Sequence, residues 1–300
     1  MEVSAELYPF EGHNLQVSGH RLHALDEGSG SPVLMVHGNP SWSFYYRNLA
    51  LALRGEHRVV APDHIGCGYS DKPGREEYPY TLERRVQDLG ATIDAMELGD
   101  DITLVLHDWG GMIGMAWAVQ NAHRVARIVL LNTAAFPKPD GKRLPWSLDL
   151  VRNTRVGEWL VLGLNAFSFG ATRMAVTRRP MAPEVARAYT APYDSWDNRI
   201  ATLRFVQDIP LTADDPGYNI VARTAAGLDE FKDTPVLICW GAKDFVFDDH
   251  FLEEWRARWP HAEVHRYADC GHYVLEDAED EVIEAVRGFL AAHPLPSEVS

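Results

Sequence analysis

An aspartate stands where a strand turns sharply into a helix. The stretch Val105-Leu106-His107-Asp108-Trp109-Gly110-Gly111 continues the apolar run Ile102 to Leu106 and opens a helical pattern from Met112 to Asn121. A side chain at the apex of such a turn is held at the top of a sheet, beside the backbone N–H groups of a helix N-terminus. A carboxylate there suits displacement at an sp3 carbon, because it forms an alkyl ester without first losing a proton. The competing reading is a helix N-cap, common for Asp ahead of a helix, and the motif by itself divides the two evenly. Two later positions decide for catalysis. Asp244 follows a strand in Trp240-Gly241-Ala242-Lys243-Asp244. His272 lies in Asp269-Cys270-Gly271-His272-Tyr273, after the last strand and before a C-terminal helix. The chain has 13 histidines, and His272 is singled out by that place. A carboxylate on one imidazole nitrogen orients the ring and leaves the other nitrogen free to act as a base. Asp248 and Asp249 are nearby alternatives to Asp244, but they lie towards the next helix, where capping is their expected role.

The elements that must hold these residues alternate along the chain. Asn14 to Asp26 reads as a hairpin. Strands follow at Val33–Val36, Arg58–Ala61, Ile102–Leu106, Ile128–Leu131, Val236–Trp240 and Val264–Tyr267. Helical patterns cover Tyr45–Leu53, Thr81–Met96, Phe251–Trp259 and Glu279–His293, with Thr81 as a cap and Arg84 and Arg85 on the wet face. Such alternation predicts an α/β fold with a mainly parallel sheet covered on both faces and its chemistry at the carboxyl ends of the strands. Asn39, Asp63, Asp108, Asn132 and Asp244 all sit at such ends. From Ala135 to Glu230 the rhythm breaks into helical spacing rich in Trp, Phe, Arg and Pro. We read a core over 1–134 and 231–300 with an inserted helical cap over 135–230. The cap aromatics Trp146, Trp159, Phe167, Phe169, Trp196 and Phe205 are expected to pack in its interior, with some lining the cleft.

Composition excludes several classes. A net charge of −15 without a basic patch argues against nucleic acid. No run of eighteen apolar residues is present to span a membrane, and Met1 to Phe10 lacks a signal-peptide pattern. Cys67, Cys239 and Cys270 are odd in number and lack a C-x-x-C spacing, which predicts structural roles in a reducing cytoplasm. H-E-x-x-H is absent, and the spacing His261 to His265 runs into a strand, so no metal site is expected.

The order nucleophile, acid, histidine is that of α/β-hydrolases. Over essentially its whole length the chain resembles the haloalkane-dehalogenase type. The motifs are His37-Gly38-Asn39-Pro40, Asp63-His64-Ile65-Gly66-Cys67-Gly68-Tyr69-Ser70-Asp71-Lys72-Pro73 and His107-Asp108-Trp109-Gly110-Gly111. The resemblance implies that Asn39 and Trp109 give side-chain N–H groups to a leaving group. One subgroup takes its acid from the strand end before the cap. Here that place holds Asn132, which leaves Asp244 as the acid. Leu106 replaces the first Gly of the general elbow pattern. Within this type the chain is most similar to the β-lactone decarboxylases of bacterial long-chain olefin biosynthesis. That similarity extends into the cap, through Asn132-Thr133-Ala134-Ala135-Phe136-Pro137, Asn165-Ala166-Phe167-Ser168, Ala188-Tyr189-Thr190-Ala191-Pro192-Tyr193-Asp194 and Gln207-Asp208-Ile209-Pro210-Leu211.

The resemblance implies a cis-3,4-dialkyl β-lactone as substrate, a cis-alkene and carbon dioxide as products, no cofactor, and assembly with the enzymes that make the lactone. Three alternatives stand beside it. A haloalkane dehalogenase would use the same five residues, with His272 activating water. An epoxide hydrolase would rely on two cap tyrosines, nominally Tyr189 and Tyr193. A non-catalytic assembly subunit would have no need of all three triad groups.

Overall fold

Unbroken apolar runs make the centre of an eight-stranded sheet. The computed structural model describes residues 3–295 and Glu298. The strands are β1 (His13–Val17), β2 (His20–Glu27), β3 (Pro32–Val36), β4 (Arg58–Pro62), β5 (Ile102–Asp108), β6 (Val125–Thr133), β7 (Val236–Gly241) and β8 (Glu263–Tyr267). Their order is β1-β2-β4-β3-β5-β6-β7-β8. The hairpin β1–β2 and the β2–β4 pair are antiparallel, and the remaining pairs are parallel. The central strands carry apolar side chains on both faces because both faces are covered. Leu34, Leu104, Ile128 and Ile238 point into one core, and Val33, Val105, Val129 and Leu237 into the other.

The helices are α1 (Arg47–Leu53), α2 (Leu82–Ala95), α3 (Trp109–Ala118), α4 (Trp146–Asn153), α5 (Arg155–Leu164), α6 (Ala166–Met174), α7 (Pro183–Thr190), α8 (Ile200–Gln207), α9 (Tyr218–Gly227), α10 (Asp249–Arg258), α11 (Val274–Asp277) and α12 (Glu279–Ala292). α2, α3 and α10 cover one face of the sheet and α1 and α12 the other. The helices from α4 to α8 come between β6 and β7 and stand over the strand ends. α9 reaches the cavity through Val221 and also packs on the flank of the core. It packs on α3, and Arg258 of α10 donates to the Ala225 carbonyl at 3.0 Å. Thr81 caps α2 and Asp248 caps α10, each accepting a backbone N–H.

Arg85 departs from expectation. Arg84 sits at the surface and pairs with Asp88 at 2.8 Å. Arg85 is buried, because α8 lies over its side of α2 and sets Phe205 on it. Its guanidinium carbon is 3.6 Å from the Phe205 ring centroid, and none of its three nitrogens has a hydrogen-bond partner among the described residues. A cation over an aromatic face gains about 2 kcal/mol when desolvated. A buried charge without a hydrogen-bond partner costs several, and the attraction of the Asp208 carboxylate does not outweigh the desolvation. Arg85→Met, which keeps the length and drops the charge, is therefore expected to raise the thermal unfolding midpoint by a few degrees. Calorimetry of the two proteins checks this, and a lowered midpoint would contradict it.

Candidate active site

All seven residues of β5 are buried, and the strand ends in a strained turn. Asp108 has φ 53° and ψ −124°, a conformation that L-residues avoid. Its side chain makes no capping bond to α3, so it is not serving as an N-cap. The turn closes because small residues surround it. A Cβ on Gly38 would overlap the Asp108 carboxylate, and one on Gly110 would overlap the Val36 carbonyl. Thr133 at the end of β6 donates its hydroxyl to the Asp108 carbonyl. The Leu106 departure has a structural counterpart. Gly114 in α3 faces Leu106, and a Cβ there would overlap that side chain. Room usually made in the strand is made here in the helix.

Three loops bring the expected triad together. His272, after β8, donates from Nδ1 to Asp244 Oδ2, after β7, at 2.7 Å. Its Nε2 lies 3.5 Å from Asp108 Oδ2. The other Asp108 oxygen, Oδ1, accepts the Asn39 backbone N–H at 2.7 Å. The two carboxylate oxygens are thus distinguished: Oδ1 is fixed by backbone and Oδ2 faces the imidazole. His107 ties the histidine loop to β5, its Nε2 donating to the His272 carbonyl at 2.9 Å. Asn132 bonds both ways to the Gly241 backbone, at 3.0 and 2.7 Å. It clamps the end of β6 to β7 and is spent on that. Asp63 is likewise spent, accepting from His23, Ser43 and Tyr69.

The site is buried and its charges are coupled. Burial pushes the Asp108 carboxyl above its ordinary value, against the pull of His272 and of the Asn39 and Trp109 backbone N–H groups. Burial depresses the His272 imidazole, but the carboxylates of Asp244 and Asp108 outweigh it and leave the ring more basic than usual. Phe247 stacks beside the imidazole at 5.9 Å and 18°.

Above Asp108 lies a cavity of about 290 Å³. Its walls are apolar, including Met112, Phe136, Leu148, Val161, Phe167 and Phe247, while Asp108, Asn39, Trp109 and His272 meet at its floor. Helix α8 positions both expected leaving-group donors. Asn39 Nδ2 donates to the Thr202 carbonyl at 3.0 Å, which leaves its second N–H uncommitted. The Trp109 and Phe205 rings pack at 5.3 Å. These contacts span more than ninety residues of sequence, so nothing local in the chain marks Thr202 as a support. Of the cap aromatics, Phe205 is buried, and Phe167 and Trp146 line the cavity. Trp159, Phe169 and Trp196 correct the expectation: they neither pack nor line the cleft but are exposed. The two tyrosines considered for epoxide opening point elsewhere. Tyr189 donates to Glu276 at 2.6 Å and Tyr193 to the Ser41 carbonyl at 3.3 Å, and neither lines the cavity. All three cysteines are free and buried. No group of metal-ligating side chains occurs among the described residues.

Comparison with known proteins agrees with this geometry. Residues 31–279 match the α/β hydrolase fold family. A cis-3-alkyl-4-alkyloxetan-2-one decarboxylase of Shewanella oneidensis is 55% identical over 95% of this chain and 89% of its own. Its counterpart from Xanthomonas campestris pv. campestris is 46% identical over 96% and 98%. The crystal structure of the haloalkane dehalogenase DatA from Agrobacterium tumefaciens superposes with a TM-score of 0.86 at 25% identity, over 97% of this chain and 100% of that one. The chain belongs to the α/β hydrolase fold family.

A step that needs ionised Asp108 slows as pH falls through its pKa, which burial sets above the usual carboxylate value. The His272 cation pulls that pKa down. His272→Gln is therefore expected to move the acid limb of kcat/KM to higher pH, whatever it does to the plateau. A pH–rate profile checks this, and a limb that stays or moves down would contradict it.

Proposed function

We propose that this α/β hydrolase is a β-lactone decarboxylase that converts cis-3,4-dialkyl β-lactones to cis-alkenes and carbon dioxide in long-chain olefin biosynthesis, with Asp108 as nucleophile. The observation that carries this reading is a buried carboxylate, its Oδ1 held by the Asn39 backbone N–H and its Oδ2 beside the His272 imidazole, on the floor of an apolar cavity. The names of the two relatives above support the substrate class.

The chemistry runs in two steps. Oδ2 attacks the ring carbon that bears the ring oxygen, with inversion. The C–O bond of the ring breaks, strain is released, and a carboxylate leaves. The side chains of Asn39 and Trp109 hold that carboxylate as its charge develops. Next the C–C bond to the carboxylate breaks, its electron pair becomes the π bond, and carbon dioxide departs. The ester C–O bond breaks anti to it and Asp108 regains its charge. Inversion followed by anti-elimination preserves the cis relation. No water is consumed and no proton moves. His272, paired to Asp244, acts as a fixed positive charge that keeps Asp108 ionised before attack and favours its release. Each alkyl methylene buried in the cavity contributes about 0.8 kcal/mol to binding.

A second reading is haloalkane dehalogenation. What favours it is His272 Nε2, 3.5 Å from Asp108 Oδ2, where a base activating water on an Asp108 ester would stand. We place the enzyme in the reducing cytoplasm, where the free, buried cysteines stay reduced, in company with the enzymes that form its lactone.

The test gives the purified protein a cis-dialkyl β-lactone and, separately, a long-chain bromoalkane. Alkene is followed by gas chromatography and bromide by ion chromatography. Fast cis-alkene formation with little bromide is expected, and Asn39→Ala should lower kcat on the lactone by about 10²–10³-fold. Sustained bromide release without alkene would favour the dehalogenase reading.

A further inference from the structure

The cap carries an outer face that the cavity chemistry does not use. Nine large hydrophobic residues are exposed among the described residues, and six of them fall between Trp146 and Met174: Trp146, Val156, Trp159, Leu164, Phe169 and Met174. Trp146 is 80% exposed. Helix α5 is apolar nearly all round. Val161 and Leu162 are buried, Leu160 lines the cavity, and Val156, Trp159 and Leu164 face water. A helix with this pattern is ordinarily covered on both sides. A cluster this dense exceeds the scattered exposure that needs no explanation.

Charge says what covers it. The chain is at −15, yet residues 138–174 hold six Lys and Arg against three Asp and Glu. Lys142 and Arg152 pair with Asp248 and Asp215, and Glu158 with Arg75, all from outside the segment, which leaves four cations against two acids. Arg143 and Arg155 have no carboxylate partner among the described residues, and Lys138 and Arg173 bond only to carbonyl oxygens. Exposed tryptophans interleaved with unneutralised cations match an anionic lipid interface, where aromatic rings sit at headgroup depth and each cation is attracted to the surface. The patch is continuous with the cavity, since Trp146 and Met174 are both exposed and line it, with Arg143 beside them.

We propose that α4–α6 form a docking surface for an anionic lipid interface, with the cavity mouth opening onto it. An apolar lactone then passes from lipid to Asp108 without crossing water. The route of the lactone rests on the decarboxylase reading, but the docking itself does not.

The test floats the full chain on phosphatidylcholine vesicles with and without phosphatidylglycerol. Binding to the anionic vesicles, weakened by salt, is expected. Arg155→Glu and Arg173→Glu should each weaken it at least about fivefold. Trp159→Ser with Phe169→Ser should weaken it as well, with turnover of a short, water-soluble lactone unchanged. None of these four residues lines the cavity. Absence of binding to anionic vesicles, or binding indifferent to all four changes, would overturn the proposal. So would a serine variant that turns a dimer into a monomer by sedimentation with no lipid bound, which would assign the face to a second copy. Bromide release in place of alkene would overturn the decarboxylase reading and leave vesicle binding to decide the docking.

Discussion

The site depends on keeping a carboxylate charged where charge is costly. Asp108 is buried beneath an apolar cavity, and desolvation pushes its carboxyl above the ordinary value. A unit positive charge on His272 at 3.5 Å from Oδ2 is worth about 5 kcal/mol at an effective dielectric constant of about 20. Removing a carboxylate from water costs several kcal/mol. The two are of the same order, and the backbone N–H of Asn39 adds to the favourable side. In the proposed mechanism Asp108 is thus charged but poorly solvated, which is the condition of a reactive nucleophile. In that mechanism the same balance makes it a competent leaving group, because its charge returns to a place already arranged to receive it.

Most of the fold serves that arrangement. The strained backbone at Asp108 aims the side chain away from α3 and into the cavity, and it closes only because Gly38, Gly110 and Gly114 give way on three sides. Asp244 and His272 come from neighbouring parallel strands, so the strand order brings them together at the carboxyl edge. His107 and Asn132 lock the loops that carry them. Helix α8 then completes the floor from above, through the Thr202 carbonyl on Asn39 and the Phe205 ring on Trp109. Its reach continues to Arg85, a buried cation with an aromatic ring as its partner.

The parts legible in the sequence are those fixed by local pattern. Doubly buried strands announced themselves as apolar runs, and the strand–turn–helix around Asp108 marked the turn that carries the proposed nucleophile. Asp244 and His272 were recognisable by their places after late strands, and the structure sets them in hydrogen-bond contact. What failed depended on packing between distant segments. Arg85 follows Arg84 on an amphipathic helix, and only the arrival of α8 on that side buries one and leaves the other half-buried. Trp159 and Phe169 carry the composition of a core, but α5 and α6 have nothing described on their outer side. The role of Thr202 is invisible in sequence because a backbone carbonyl has no side-chain signature.

The central claim is that Asp108 is both the nucleophile and the second leaving group, so that water never reaches its carboxyl carbon. The most direct test is turnover of a cis-dialkyl β-lactone in ¹⁸O-water, followed by mass spectrometry of the peptide that carries Asp108. The account predicts alkene in many equivalents and no ¹⁸O in that peptide, because both aspartate oxygens survive each cycle. Label accumulating in Asp108 with turnover would mean that water opens the ester at its carbonyl carbon, and the two-step elimination would be wrong.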